Sequence, residues 1–324
     1  MRIVVLDDYQ DCIRGLSAAT CLAAHEIAVY RYPAPDMETL IMRLASAEVL
    51  VLTRERTPIT AALLARLPQL RMISTAGPLP KNLDLAACSE RGIAVAQSQG
   101  TGAATAELCW ALILASRRHL VEEVQSLRAG RWQSALGQQL QGHRLGIWGY
   151  GKVGRQVARF GLAFGMRVWV WGRESSQAGA LRDGVAVAPS RAEFIAESDV
   201  LSLHQRLTPE TAGSISAREL MSMKPDALFV NTARAELLAP EALLLALNAG
   251  RPGYAAIDVF ENEPVLDTTH PLLRHPRVLA TPHIGFVEHD NYESFFSMAF
   301  NHILRFAAGE TSHLVNPQAV CKPR

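Results

Sequence analysis

A glycine-rich turn, Gly149-Tyr150-Gly151-Lys152-Val153-Gly154, follows the apolar run Leu145-Gly146-Ile147-Trp148 and precedes a helical pattern near the middle of a 324-residue chain. Strand, glycine turn and helix in that order restrict the fold more than any other feature. The first glycine allows a tight turn, the second lets main chain approach a pyrophosphate, and the third lets the helix pack closely on its strand. The pyrophosphate would rest on free N–H groups at the helix N-terminus. Well over a hundred residues precede this turn, so another domain is expected ahead of it.

Those residues carry a βαβ rhythm. Apolar runs at Ile3 to Leu6, Ile27 to Tyr30, Val49 to Leu52, Met72 to Ser74 and Ile93 to Ala96 alternate with helical patterns such as Met37 to Ala47 and Ile59 to Leu67. Parallel strands need crossovers of this kind. An apolar helix-like segment from Thr105 to His119 follows, then a polar stretch from Val121 to Gly142. After the glycine turn the rhythm resumes at Val168 to Trp171, Val185 to Ala188, Val200 to Leu203, Leu228 to Val230, Ala255 to Val259 and Val278 to Ala280. The last pattern, Tyr292 to Ala308, is a helix too apolar to stand alone and is expected to dock back on the first domain. The expected architecture is α/β with two doubly wound parallel sheets. A dinucleotide-binding domain at 99–286 interrupts a flavodoxin-like substrate domain formed by 1–98 and 287–324, with a hinge at the two crossings.

Composition narrows the function. Charged residues make up 19% of the chain and its net charge is +1, with no basic block of the kind nucleic acid requires. Ala106 to Ala115 is interrupted by Glu107 and falls short of the roughly 20 residues a membrane span needs. The cysteines Cys12, Cys21, Cys88, Cys109 and Cys321 show neither CxxC nor metal-ligand spacing, which fits reduced thiols, a cytoplasmic setting and no bound metal. The expected partner is small.

Ligands of open parallel sheets bind beyond the carboxyl ends of strands. Leu228-Phe229-Val230 leads into Asn231-Thr232-Ala233-Arg234. Ala255-Ala256-Ile257 leads into Asp258-Val259-Phe260-Glu261-Asn262-Glu263, and Val278-Leu279-Ala280 into Thr281-Pro282-His283. Taken singly, each charged residue is more often solvated surface. Together a guanidinium, a carboxylate and an imidazole at one sheet edge form a site for an anion that must exchange a proton.

These segments, with Met223-Lys224-Pro225, Glu263-Pro264 and His283-Ile284-Gly285, resemble the D-isomer-specific 2-hydroxyacid dehydrogenases over nearly the whole chain. The resemblance implies a nicotinamide-dependent oxidoreductase, a homodimer, that interconverts a small anionic 2-keto acid and its D-2-hydroxy acid. It implies that Arg234 clamps the substrate, that His283 exchanges the proton and that Glu263 pairs with His283. It places Thr105, His204, Gln205, Thr232, Ala233, Asp258 and Gly285 around the cofactor, beside the turn residues Tyr150, Gly151, Lys152, Val153 and Gly154 and the Gly172-Arg173 pair, and it places Gly77 and Pro78 in the substrate loop, with Arg54 a further substrate-binding candidate.

The chain also departs from the family. An NAD enzyme usually carries an acid after the strand that ends at Trp171, but here Gly172-Arg173-Glu174 follows. An arginine without that acid suits the 2′-phosphate of NADP, against which Glu174 weighs, so NADP or NAD remains open with NADP favoured. In Ala76-Gly77-Pro78-Leu79-Pro80-Lys81, two prolines remove main-chain donors from the loop that usually takes the substrate carboxylate. Arg54 or Lys81 could compensate. This unusual loop keeps open an alternative of another class, a catalytically weak nucleotide-sensing or scaffold protein of the same fold.

Overall fold

The computed structural model describes residues 1–320; Cys321, expected as a reduced thiol, lies outside the described residues. The chain forms two compact units, Met1–Gly100 with the chain from Glu288 onward, and Thr101–Val287.

The first unit holds strands β1 (Arg2–Val5), β2 (Glu26–Val29), β3 (Val49–Thr53), β4 (Met72–Ala76) and β5 (Ala94–Gln97). Helices α1 (Met37–Leu44), α2 (Ala61–Ala65) and α3 (Leu85–Glu90) link them. All pairings are parallel, in the order β2-β1-β3-β4-β5. The central strands β3 and β4 are buried along their whole length, as expected when helices cover both faces of a parallel sheet.

The second unit opens with α4 (Ala103–Arg117) and α5 (Leu120–Arg128). It continues through β6 (Arg144–Trp148), α6 (Lys152–Ala163), β7 (Arg167–Trp171), α7 (Glu174–Arg182), β8 (Ala186–Val187), α8 (Arg191–Glu197) and β9 (Val200–Leu203). Next come α9 (Ala217–Leu220), β10 (Leu228–Asn231), α10 (Ala242–Asn248), β11 (Tyr254–Ile257), α11 (Pro271–Arg274) and β12 (Val278–Ala280). The sheet order is β12-β11-β10-β9-β6-β7-β8, which reverses beside β6. That reversal is the doubly wound arrangement with its ligand crevice at the glycine turn. Separate hydrophobic clusters cover the two faces of this sheet, one around Phe194, Phe229 and Leu247, the other around Ile113, Ile147 and Val200.

The expectation of a polar stretch from Val121 to Gly142 needs correction, because α5 occupies its first part. Leu120, Val121, Val124 and Leu127 follow helical spacing, but they are exposed, so no core-facing stripe marks the helix.

Helix α12 (His289–Ala307) belongs to the first unit. It buries Phe295, Phe296, Phe300 and Ile303. Ser74 on β4 and Ser98 after β5 donate to its carbonyls at Ala299 and Phe295 (2.9 and 3.1 Å). These bonds satisfy hydroxyls that would otherwise be costly to bury. The chain then returns along β5, where Val315 N–H donates to Val95 C=O (2.7 Å) and Ala96 bridges Leu314. Asn316, 1% exposed, accepts from Val95 N–H (2.7 Å) and donates to Ile93 C=O and Ser89 Oγ (both 3.0 Å). Among the described residues no helix is long and apolar enough to cross a membrane.

Removing the Asn316 amide leaves a buried main-chain N–H and C=O unpaired, which costs about 1–3 kcal/mol. Asn316→Ala is therefore expected to lower the midpoint of chemical denaturation with an unchanged slope; an unmoved midpoint would show that the staple contributes nothing.

Candidate active site

The glycine turn connects β6 to α6. Gly149 has φ +99°, and a Cβ there would sit 2.9 Å from the His204 carbonyl oxygen; a Cβ on Gly154 would sit 2.2 Å from the Gly149 carbonyl oxygen. Main chain occupies both spaces, so only glycine fits. Around Gly151, by contrast, nothing lies within 4 Å of where a Cβ would be. Helix α6 starts at Gly151 with no side-chain cap. Helices α4, α5, α7, α10 and α11 also lack one, but at α6 the uncapped N–H groups face the glycine turn. Open space against uncapped N–H groups suits a phosphate anion.

Other expected cofactor residues surround this turn. Lys152 is exposed and Val153 half-buried at the start of α6. Tyr150 is different: its hydroxyl donates to Asp183 (3.0 Å), which also pairs with Arg155 (3.1 Å), so its side chain packs toward α7 and its main chain shapes the turn. At the end of β7, Gly172 accepts from Gln177 (2.9 Å) and Arg173 is exposed at the N-cap of α7, with Glu174 exposed beside it. Gln205 carries a buried Oε1 without a hydrogen-bond partner, an acceptor that a bound ligand could engage. His204 Nε2 lies 3.0 Å from Ser202 Oγ, itself 3.2 Å from Cys109 Sγ. Burial pushes the His204 imidazole down to about 3, so the ring is neutral around neutral pH. The open space, the uncapped helix and the unpartnered acceptor fit a nicotinamide dinucleotide.

Three loops at the ends of β10, β11 and β12 hold the residues expected to act on the substrate. At the last position of β10, buried Asn231 accepts from Ala233 N–H (3.0 Å) and donates to the Arg234 carbonyl (2.9 Å). This folds Thr232-Ala233-Arg234 into a fixed turn, and Arg234 Nη1 donates to the Ala233 carbonyl (2.7 Å). After β11, Glu263 Oε1 accepts from Phe260 N–H (2.9 Å). Its other oxygen lies 2.5 Å from His283 Nδ1. Burial pushes the Glu263 carboxyl up, but the His283 bond and charge, the Phe260 donor and the Arg234 charge together hold it below its ordinary range. Glu263 is thus an ionised carboxylate paired with an imidazole and favoured by the charge of a guanidinium.

His283 itself has φ +52°, a strained setting for a non-glycine residue. Asp258, 1% exposed, holds it there. Its Oδ1 accepts from Thr281 Oγ1 (2.6 Å) and Ile284 N–H (2.8 Å), and its Oδ2 from Gly285 N–H (2.8 Å). Burial raises the Asp258 carboxyl against the pull of these donors and of the His283 charge. Thr105 Oγ1 on α4 donates to the Gly285 carbonyl (2.9 Å), and the Phe286 ring meets the imidazole edge-on at 5.8 Å. Asn231, Thr281 and Phe286 were not singled out from sequence. An Asn or Thr directly past a strand end, near a catalytic candidate, is the signal that could have found the first two.

The residues expected around the substrate lie in the first unit. Arg54, after β3, places Cδ and Nη1 at 2.8 and 3.0 Å from where a Gly77 Cβ would be. Pro78 follows in the loop after β4.

A family model described as D-isomer specific 2-hydroxyacid dehydrogenase, NAD binding domain, matches residues 110–285. The chain is 35% identical over 302 residues to a glyoxylate reductase of Aeropyrum pernix, covering 90% of this chain and 89% of that protein. It is 36% identical over 266 residues to 4-methyl-2-oxopentanoate reductase A of Aspergillus oryzae, covering 79% and 80%. Among solved structures, a phosphoglycerate oxidoreductase from Vibrio cholerae superposes with a TM-score of 0.92 at 47% identity, over 96% of this chain and 100% of that one.

Glu263 fixes His283 through Nδ1, so Glu263→Gln, which removes the anion from that pair, is expected to lower kcat for keto-acid reduction roughly tenfold or more while dinucleotide affinity holds. An unchanged kcat would separate the pair from the chemistry.

Proposed function

Because the chain belongs to the D-isomer-specific 2-hydroxyacid dehydrogenase family, we propose that Arg234, Glu263 and His283 interconvert a small 2-keto acid and its D-2-hydroxy acid. The observation that carries this reading is the 2.5 Å His283–Glu263 pair, with Arg234 acting on the same carboxylate. A bound nicotinamide dinucleotide supplies or receives the hydride. The chain's own residues manage the proton and the anion. With Nδ1 engaged by Glu263, Nε2 of His283 is the atom left to give a proton to the C2 oxygen in reduction, or take it in oxidation. The Arg234 guanidinium can hold a carboxylate through two parallel hydrogen bonds and polarise the neighbouring carbonyl.

The turn around Gly151, Lys152, Val153 and Gly154 would hold the pyrophosphate. Asp258 would hold the nicotinamide side, and Thr105, His204, Gln205, Thr232 and Ala233, with the main chain at Gly285, would line the cofactor. Arg173, exposed with no carboxylate of its own in that position, favours NADP over NAD. The free Cys12, Cys21, Cys88 and Cys109 support a reducing, cytoplasmic setting. A homodimer is favoured by the exposed apolar residues Leu120, Val121, Val124 and Leu127 of α5 and by Trp132 and Leu136, which are 77% and 95% exposed, large apolar groups of the kind that subunit contacts cover.

Oxidation of NADPH and NADH is to be followed against glyoxylate, hydroxypyruvate, pyruvate and branched 2-keto acids. Turnover is expected, faster with NADPH, and His283→Ala should cut kcat by roughly a hundredfold or more while cofactor affinity holds. Cofactor binding without turnover across the panel would instead support the sensing or scaffold alternative. In sedimentation, the wild type is expected as a dimer and Leu127→Glu with Trp132→Ser as a monomer. A monomeric wild type would sink the dimer.

A further inference from the structure

Three polar side chains of the second unit form a line from α4 to the end of β9. Cys109 on α4 and Ser202 on β9 are both fully buried, and the cysteine packs in the apolar cluster of Ala106, Ile113, Val200 and Val230. Cys109 Sγ lies 3.2 Å from Ser202 Oγ, which lies 3.0 Å from His204 Nε2. Neither Cys109 nor Ser202 has a part in the hydride or proton steps. Polar groups kept in a core need a reason, since each must be paired to be tolerated there.

Each member of the line holds one proton. Burial pushes the Cys109 thiol up to about 11 and the His204 imidazole down to about 3, so around neutral pH the thiol is S–H and the ring carries a single N–H. The two bonds have two possible directions. If His204 Nε2–H donates to Ser202, the hydroxyl must donate to the sulfur, and the thiol proton is left in the apolar core. The other hydroxyl near that thiol, Thr232 Oγ1, does not take it, being buried without a hydrogen-bond partner. If instead the thiol donates to Ser202 Oγ and the hydroxyl to Nε2, both buried protons are used, and the hydroxyl meets an imidazole nitrogen, a better acceptor than sulfur. The second direction wins, because an unpaired buried donor costs free energy.

A neutral imidazole that accepts at Nε2 carries its proton on Nδ1. A free imidazole side chain favours the opposite form, so this one is imposed by its surroundings. Nδ1 has no hydrogen bond among the described residues. The two ring nitrogens diverge, so with Nε2 turned back along β9 to Ser202, Nδ1–H is aimed past the strand end. That edge is also where the main chain of His204 lies against Gly149 of the glycine turn.

We infer that Ser202, supported by Cys109, is a positioning residue for the dinucleotide: it fixes His204 as the Nδ1–H tautomer, an uncharged donor for an oxygen of the bound cofactor. The inference rests on the reading that puts His204 at the cofactor and adds to it the groups that decide what His204 offers there.

The test is long-range nitrogen–proton correlation NMR on protein with isotope-labelled histidine, which reads ring tautomers without ligand or turnover; His204→Gln identifies the signal by its loss. The wild type is expected to show a protonated Nδ1 and an unprotonated Nε2 that do not titrate between about pH 6 and 8, where an ordinary histidine does. Ser202→Ala should move the ring toward the opposite tautomer and weaken NADH and NADPH binding roughly three- to tenfold, the loss of about one hydrogen bond. Cys109→Ser, which keeps a donor in place of the thiol, should retain both tautomer and affinity. An unprotonated Nδ1 in the wild type would overturn the inference whether or not the variant folds, as would a tautomer unmoved by Ser202→Ala. A moved tautomer with unchanged dinucleotide affinity would overturn it too, by removing His204 from the cofactor rather than Ser202 from His204.

Discussion

The Asp258 carboxylate, buried at the end of β11, accepts from Thr281 Oγ1, Ile284 N–H and Gly285 N–H, and these three bonds bend the chain after β12 into the turn that presents His283. Three donors converge on this one side chain, so the turn is fixed from more than one point. That fixing matters because His283 sits at φ +52°, a conformation that costs free energy unless its surroundings over-determine it. The imidazole is then within reach of Glu263, whose own carboxylate is fixed by Phe260 N–H. Position passes from a buried acid to a loop, from the loop to the imidazole, and from there to the second acid. The residue that organises the site is thus distinct from the residues assigned to its chemistry.

Two kinds of polar group meet in the second unit and are treated differently. Glu263 has partners that hold its carboxyl below the ordinary range despite burial, whereas at Asp258 burial outweighs the donors and raises the carboxyl. His204 has only Ser202 against its Nε2, and burial leaves it neutral. It is the main chain of His204, and not its ring, that lies against Gly149, and that close approach depends on Gly149 having no side chain.

Features that face inward or require a special backbone were legible in the residues. The apolar strand runs, the glycine turn and the functional groups past β10, β11 and β12 all belong to this class, because burial and positive φ leave a compositional mark. Helix α5 left none, since its apolar residues point outward and the stretch reads as polar. The role of Tyr150 was also hidden: a tyrosine inside a glycine turn suggests a ligand, yet its hydroxyl is bonded to Asp183, which lies thirty-three positions further along the chain. The two prolines of the 77–81 loop were visible, but that Gly77, Leu79 and Lys81 donate elsewhere follows only from three-dimensional contacts with Thr75, Gln97 and Glu55.

The segment around Leu314, Val315 and Asn316 also bears on how the protein behaves among its neighbours in solution. β5 lies at the margin of the five-stranded sheet, and a bare margin of this kind offers a row of N–H and C=O groups on which another chain can add. Here the Val95 N–H is taken by Asn316 and the Val95 C=O by Val315. The returning chain therefore works as a selvedge, closing the sheet against self-templated growth as well as holding it to α12.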